Sequence, residues 1–212
     1  MSKFLLPLSE YNRIYQVAHG VLKGVPNTTP EKSCWFFAAF GGFILNRKYK
    51  IEARVVGGAF SFCIGESEVA MFGRLADNQL VSGRDAFHMW LQTDTHIIDF
   101  MAPIYREAFS GHPGAATLPR KMMQRLLKDE AETLNALKQP GDFRYYPDVE
   151  LADQLLDGFL GKRINSDLLE IAIAWYGNRR GKQSSSFATT DEKGRVTRLS
   201  LTESIATGSW GS

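Results

Sequence analysis

The chain predicts an α+β fold, an antiparallel sheet packed on a central buried helix with a helical C-terminal half. Three features carry that expectation. Residues 34–45, CWFFAAFGGFIL, form the longest apolar run, and a helix apolar almost all round belongs in the middle of a fold. Residues 51–65 are rich in β-branched and aromatic side chains and are broken by Gly57-Gly58, and further short strand-like runs follow up to residue 102. From residue 117 onward, apolar residues recur at helical spacing. Helices and strands are segregated along the chain rather than alternating, which selects α+β.

In chain order, Ser9 is a candidate N-cap for a first helix, because Tyr11, Ile14, Val17, Ala18 and Val21 then recur at helical spacing up to Gly24. VPNTTP (25–30) is a breaker cluster. The second helix spans 34–47, where Gly41 and Gly42 each cost about 1 kcal/mol relative to Ala; such a cost fits a backbone packed closely against them. Two starting points compete: TTPE (28–31) is a capping-box pattern, whereas Ser33 as cap makes Cys34 the first helical residue. Both hold if residues 29–33 form a separate turn. IEARVVGGAFSFCIG reads as one or two strands and VAMFGRL as another; AFHMWLQ (86–92) and HIIDFMA (96–102) are two more, joined by a turn at Thr93-Asp94. GHPGAATLP is a loop. Residues 119–139 read as a helix, as do DVELADQLLDGFLGK, capped near Asp148, and NSDLLEIAIAWYG, capped by Asn165 or Ser166. FATTDEKGRVTRLSL reads as a hairpin turning at Lys193-Gly194. These boundaries give a single domain over residues 1–200, with a core at 9–110, a helical part at 117–178 and a disordered tail at 201–212.

Composition narrows the function. The 212 residues are 44% apolar and 23% charged, as expected of a globular chain with a full core. A net charge of +2 argues against nucleic-acid binding. The apolar run falls short of the ~20 residues a bilayer span needs, and the N-terminus has no apolar stretch long enough for a signal peptide. Two cysteines make no disulfide framework, so a reducing cytoplasm is the expected compartment.

The chemistry lies in three residues. His88 and Asp99 stand among apolar neighbours on two successive strands, and burying either is costly without a partner. With Thr93-Asp94 as the turn, residue 92 lies opposite 95, 90 opposite 97, and 88 opposite 99. Directly opposed side chains share a face, about 5 Å apart at Cβ. A carboxylate on one imidazole nitrogen fixes the tautomer and leaves the other free to take a proton. Cys34 is the candidate donor of that proton, because thiols near a helix N-terminus and a protonated His ionise well below about 8.5. Cys34 as core filler and His88–Asp99 as a satisfied structural pair are the bland alternatives. Zinc on Cys34, His88 and Asp99 fits less well, since catalytic zinc sites favour more His. Cys63 reads as inert core, and His96 and His112 as surface residues.

Cys34-Trp35 opening a buried helix, then FHMWLQ on one strand and HIIDF on the next, resembles the transglutaminase-like branch of the papain-like cysteine peptidase superfamily, whose plan arylamine N-acetyltransferases share. The resemblance covers residues 25–105. It implies Cys34 as nucleophile, His88 as base and Asp99 as orienting acid, with Trp90 matching the aromatic two residues after the His. Papain relatives use a Gln ahead of the Cys as oxyanion donor, and this chain has none between Gln16 and Gln79. Asn27 is a weak substitute, and the Cys34 backbone N–H is the alternative; Trp35 and Trp90 are candidate cleft walls. The implied activity is acyl transfer through a thioester on Cys34, with hydrolysis of an amide or peptide bond preferred because water needs no second binding site. An acyltransferase or transglutaminase acceptor, and a non-enzymatic binding module on the same fold, are the alternatives. No cofactor and no metal are expected. The identity of the peptide, amide or acyl substrate and the oligomeric state stay open.

Overall fold

The protein is described here by a computed structural model that covers residues 3–26, 28–66, 68–77 and 79–211. It is an α+β fold. Helix α1 (Leu8–Gly24) leads through a single 3₁₀ turn at Pro30–Lys32 to α2 (Cys34–Ile44). The strands β1 (Arg54–Gly65), β2 (Glu68–Phe72), β3 (Arg74–Ala76), β4 (Gln79–Val81), β5 (His88–Gln92) and β6 (His96–Asp99) follow. After a short helix α3 (Tyr105–Ala108) come β7 (Met123–Leu126) and β8 (Phe143–Pro147), then α4 (Val149–Leu160) and α5 (Arg163–Gly177). The chain continues through β9 (Arg179–Arg180), β10 (Lys182–Gln183), β11 (Ser186–Thr190) and β12 (Val196–Ser200).

The main sheet is antiparallel, in the order β2-β1-β5-β6-β7, with β8 also paired to β1. The long strand β1 organises it. Gly58 lies opposite both His88 and Pro147, and Phe60 opposite both Phe72 and Tyr145. Strands β5 and β2 therefore succeed one another along one edge of β1, while β8 takes the other. Gly58 sits at φ 156°, and a Cβ there would fall 2.0 Å from the Tyr146 carbonyl oxygen, so the three-strand junction excludes any larger residue. Residues Val56–Cys63 are all buried, as a strand covered on both faces requires. Helix α2 covers the Leu91 side of the sheet. A Cβ on Gly41 would meet the Phe100 ring at 2.3 Å, and one on Gly42 the Leu91 side chain at 3.0 Å. The two glycines thus admit side chains of the sheet, not a second backbone as the sequence suggested.

The separate-turn reading of the second helix start holds: Pro30–Lys32 forms its own turn, and α2 then begins at Cys34 with Ser33 in the N-cap position. The capping box does not form; neither Thr29 nor Ser33 caps with its side chain, and the Thr28 and Ser33 hydroxyls donate to the Val25 and Thr29 carbonyls. The helix ends in a π-type turn at Leu45–Tyr49, closed by Lys50 at φ 56°. Helix α4 is capped as expected, the Asp148 carboxylate accepting from Leu151 N at 3.1 Å. Helix α1 starts one residue before Ser9. Asn165 and Ser166 lie inside α5, where Asn165 donates to the Phe159 carbonyl at 2.8 Å. The hairpin of β11 and β12 turns through Gly194 at φ 76°.

Two expectations about whole segments fail. Residues 119–139 are not a helix: Met123–Leu126 form β7, paired to β6 with Met123 opposite Asp99. Pairing with a neighbour distant in sequence satisfies this backbone better than a local helix. The helical part therefore begins at Val149, not at 117. Nor is 201–211 a disordered tail. Trp210 is buried against Phe62, with ring centroids 4.8 Å apart, and the segment bonds Arg120, Met122 and Asn12. No helix among the described residues is long and apolar enough to cross a membrane.

Candidate active site

Cys34, His88 and Asp99 are brought together, but not by the expected register. The observed pairs are Leu91 with Ile98 and Gln92 with Ile97. The turn is a four-residue loop closed by Thr93 N donating to the His96 carbonyl at 2.9 Å, two residues of register away from a Thr93-Asp94 turn. An even shift leaves every side chain on its original face, whereas a shift of one would have inverted them. His88 and Asp99 are thus diagonal rather than opposite, a separation that an imidazole and a carboxylate span. His88 Nε2 bonds Asp99 Oδ2, and both residues are buried.

The surroundings fix each group. The His88 ring packs against Phe72, at 4.5 Å and 11°, and against Phe60, at 5.3 Å and 25°; those two rings are themselves 6.1 Å apart, so they form one aromatic wall and do not sandwich the imidazole. Asp99 Oδ1 accepts from Met101 N at 2.8 Å, and Oδ2 accepts a second bond from the Tyr105 hydroxyl at 2.5 Å. Tyr11 of α1 donates to the Asp99 backbone carbonyl. Burial, then the Asp99 charge, push the Tyr11 and Tyr105 phenols well above 10, so both remain donors. Sequence reasoning missed Tyr105, Tyr11, Phe60 and Phe72. The only local signal was a Tyr six residues beyond Asp99 in an otherwise apolar run.

Burial on its own pushes His88 down, because it penalises the imidazolium. The Asp99 charge and hydrogen bond outweigh it, the Cys34 thiol adds in the same direction, and the result is a rise from 6.5 to about 9. The second nitrogen, Nδ1, is buried and has no hydrogen-bond partner among the described residues. His88 is the first residue of β5, where the N-terminus of α2 arrives, and Cys34 and His88 line one cleft of about 400 Å³ with Phe72, Met101, Glu31 and Asp85. Cys34 is 5% exposed. The carbonyl of Ser33 accepts from Phe36 N and Phe37 N, and the N–H groups of Cys34 and Trp35 have neither an intrahelical acceptor nor a side-chain cap. They stand at the positive end of the helix dipole, beside the sulfur.

The other candidates fall elsewhere. Asn27 lies outside the described residues. Trp35 points into a neighbouring cavity, its ring 4.1 Å from that of Phe159. Trp90 shares the His88 face but is buried core, 4.3 Å from the Tyr145 ring, and so is no cleft wall. His96 is fully buried rather than at the surface, with Nδ1 bonded to the Thr95 hydroxyl at 2.7 Å. His112 is partly exposed, its Nδ1 3.1 Å from Glu68. Cys63 lies in β1, its thiol donating to the Gly65 carbonyl at 3.0 Å. Among the described residues no group of three or more His, Cys, Asp or Glu is arranged to hold a metal ion.

The model of a family described as protein of unknown function (DUF2026) matches residues 7–210. A crystal structure described as that of genomics APC5867 is similar over 99% of both chains, with a TM-score of 0.83 and 30% sequence identity. No curated protein matches the chain.

Proposed function

The chain belongs to the DUF2026 family, and on that scaffold we propose that it is a cysteine-dependent acyl-transfer enzyme, with Cys34 as nucleophile, His88 as general base and then acid, and Asp99 as the residue that orients it. One observation carries this reading. A buried imidazole spends one nitrogen on a doubly supported carboxylate and turns its second, unpartnered nitrogen toward a cleft that holds a helix-terminal cysteine. A purely structural His–Asp pair has no need of the cysteine, the cleft or the vacant nitrogen.

The chemistry follows from that division. Asp99 holds Nε2, so Nδ1 is the atom that exchanges a proton with Cys34 Sγ. This reverses the roles of the two nitrogens in a serine-protease triad, where the carboxylate holds Nδ1. Transfer of the thiol proton from Cys34 Sγ to Nδ1 generates the attacking thiolate. The thiolate attacks the substrate carbonyl, and the tetrahedral oxygen takes its hydrogen bonds from the Cys34 and Trp35 N–H groups. Nδ1–H then protonates the leaving amine as the C–N bond breaks, which leaves a thioester. In the second half, neutral His88 takes a proton from water as its oxygen attacks the thioester carbon. The C–S bond breaks, a carboxylic acid departs, and the thiol is restored.

Similarity to the transglutaminase-like branch supports the same order of residues, Cys34, His88, Asp99, and the preference for hydrolysis of an amide or peptide bond over transfer to an amine. Two free thiols suit a reducing, cytoplasmic compartment. The reading is tested by intact-mass spectrometry after exposure to a panel of activated acyl donors. A hydroxylamine-labile acyl adduct on Cys34, lost in His88→Gln, is the expected result. Adducts on neither cysteine, or on both alike, would leave a binding module with a structural His–Asp pair.

A further inference from the structure

A second cavity, of about 430 Å³, adjoins the cleft that holds Cys34. Trp35, Phe87, Leu155 and Phe159 give it flat apolar walls. Two of these are chain neighbours of the site: Trp35 follows Cys34, and Phe87 precedes His88 and lines both spaces. A group seated here therefore touches the residues that adjoin Cys34 and His88 in the chain.

The two spaces differ in charge. The lining of the second carries Arg84 and Lys162 and no carboxylate, whereas the cleft sets Glu31 and Asp85 against Lys32. Arg84 donates to the neutral amide of Gln154 at 3.2 Å rather than to an acid. Gly158 adds an independent sign. It lies inside α4, where glycine is unfavourable relative to alanine, yet nothing stands within 4 Å of the position its Cβ would take. Close packing does not account for it. What a side chain there would occupy is the open space of this cavity.

We infer that this cavity is the recognition subsite of the Cys34 enzyme, and that it takes a flat apolar group, aromatic in preference, bearing a carboxylate. The inference rests on the thiol reading above and names its substrate class: an amide with an anionic aromatic side in this pocket and a neutral or cationic side in the cleft. The aromatic walls bury the ring, Arg84 and Lys162 meet the carboxylate, and the carboxylates of the cleft repel the reverse orientation.

Three probes test it: chloroacetamide, N-chloroacetyl-phenylalanine and N-chloroacetyl-phenylalaninamide. Each alkylates a thiolate by forming a C–S bond as the C–Cl bond breaks and chloride leaves. The acid probe is expected to label Cys34 about tenfold or more faster than chloroacetamide, with saturation, and the amide probe to fall between them. Arg84→Gln and Lys162→Gln should bring the acid probe down to the amide probe. Gly158→Leu should bring the ratio of either aromatic probe to chloroacetamide toward one. A wild-type ratio near one overturns the pocket, as does a high ratio indifferent to all three substitutions. A neutral probe equal to the acid probe overturns the assigned charge. Chloroacetamide labelling Cys34 no faster than Cys63 would instead overturn the thiol reading. Calorimetric titration with N-acetyl-phenylalanine, bound by wild type and lost in Gly158→Leu, reads the pocket without the thiol, and its absence in wild type also overturns the assignment.

Discussion

Cys34 and Cys63 are both buried thiols, yet they occupy opposite chemical settings. Cys63 sits near the end of β1, paired with β2 on one side and bonded to the Gly141–Asp142 loop on the other, and its sulfur is satisfied by a backbone carbonyl two residues on. Cys34 stands on the first turn of a helix, faces an imidazole held protonated up to about pH 9, and borders open space. Burial is the same, so burial is not what makes a thiol a nucleophile. The element and the neighbour decide. A strand interior offers a sulfur neither cation nor dipole, and a helix N-terminus beside His88 offers both.

The sharpest way to break that contrast is to alkylate both thiols at pH 6.5. Cys34 is expected to react at least about 10³-fold faster than Cys63 with iodoacetamide, read by peptide mass spectrometry. Equal slow labelling would erase the distinction. Asp99→Asn should narrow the gap by about 10–10², because the His88 imidazolium loses its counter-ion while shape is preserved. The rate-against-pH curves of wild type and mutant should separate; superimposable curves would uncouple Asp99 from Cys34.

A smaller effect should come from pH itself. The His88 pKa is raised on folding from 6.5 to about 9, so its contribution to stability is complete below about pH 6.5 and is lost as pH rises through about 9. Thermal melts across that window should show wild type losing stability relative to His88→Gln, whose melting temperature should be flat with respect to this group. Parallel curves would mean that His88 is neutral in the folded protein. Tyr105→Phe removes one of the two hydroxyl or imidazole donors on Asp99 Oδ2 and should slow Cys34 labelling only about threefold, with a loss of roughly 1–2 kcal/mol in urea titrations. A loss as large as that of Asp99→Asn would make Tyr105 indispensable to the charge on Asp99. Smallest of all, Cys63→Ala should leave Cys34 labelling within about twofold and cost about 1 kcal/mol of packing.

The same contrast explains what the sequence disclosed. Cys34, His88 and Asp99 were legible because each is chemically out of place among apolar neighbours, and such misfits need partners. The hairpin register was misread by two residues, and the site survived because strand faces repeat every second residue. Tyr105 was not legible, since its hydroxyl reaches Asp99 only after the chain reverses through Ala102–Ile104. Residues 119–139 misled because Met122, Leu126 and Leu127 satisfy a helical spacing locally, while the partner that makes Met123–Leu126 a strand is β6, more than twenty residues earlier. The segment after 200 misled through its Ser, Thr and Gly content. Its one large anchor, Trp210, outweighs that composition by filling space against Phe62.

That anchoring segment also sets an order of events during synthesis. The Asn12 side chain donates to the Ala206 carbonyl at 2.8 Å and accepts from Ala206 N at 2.9 Å, joining positions 194 residues apart. Met122 N and the Gly208 carbonyl, and Trp210 N and the Met122 carbonyl, then fasten the residue just before β7, the strand next to the one that carries Asp99. The ladders of the main sheet lie within residues 54–147, so what waits until residues near 206–210 have been translated is the bracing of α1 and of the entry to β7. At roughly 5–20 residues per second, the 172 positions from Cys34 to Ala206 take on the order of 10–35 s to synthesise. Before that interval ends the described residues that line the Cys34 cleft, which extend no further than Ala108, are already on the nascent chain, while α1 lacks its brace from Ala206.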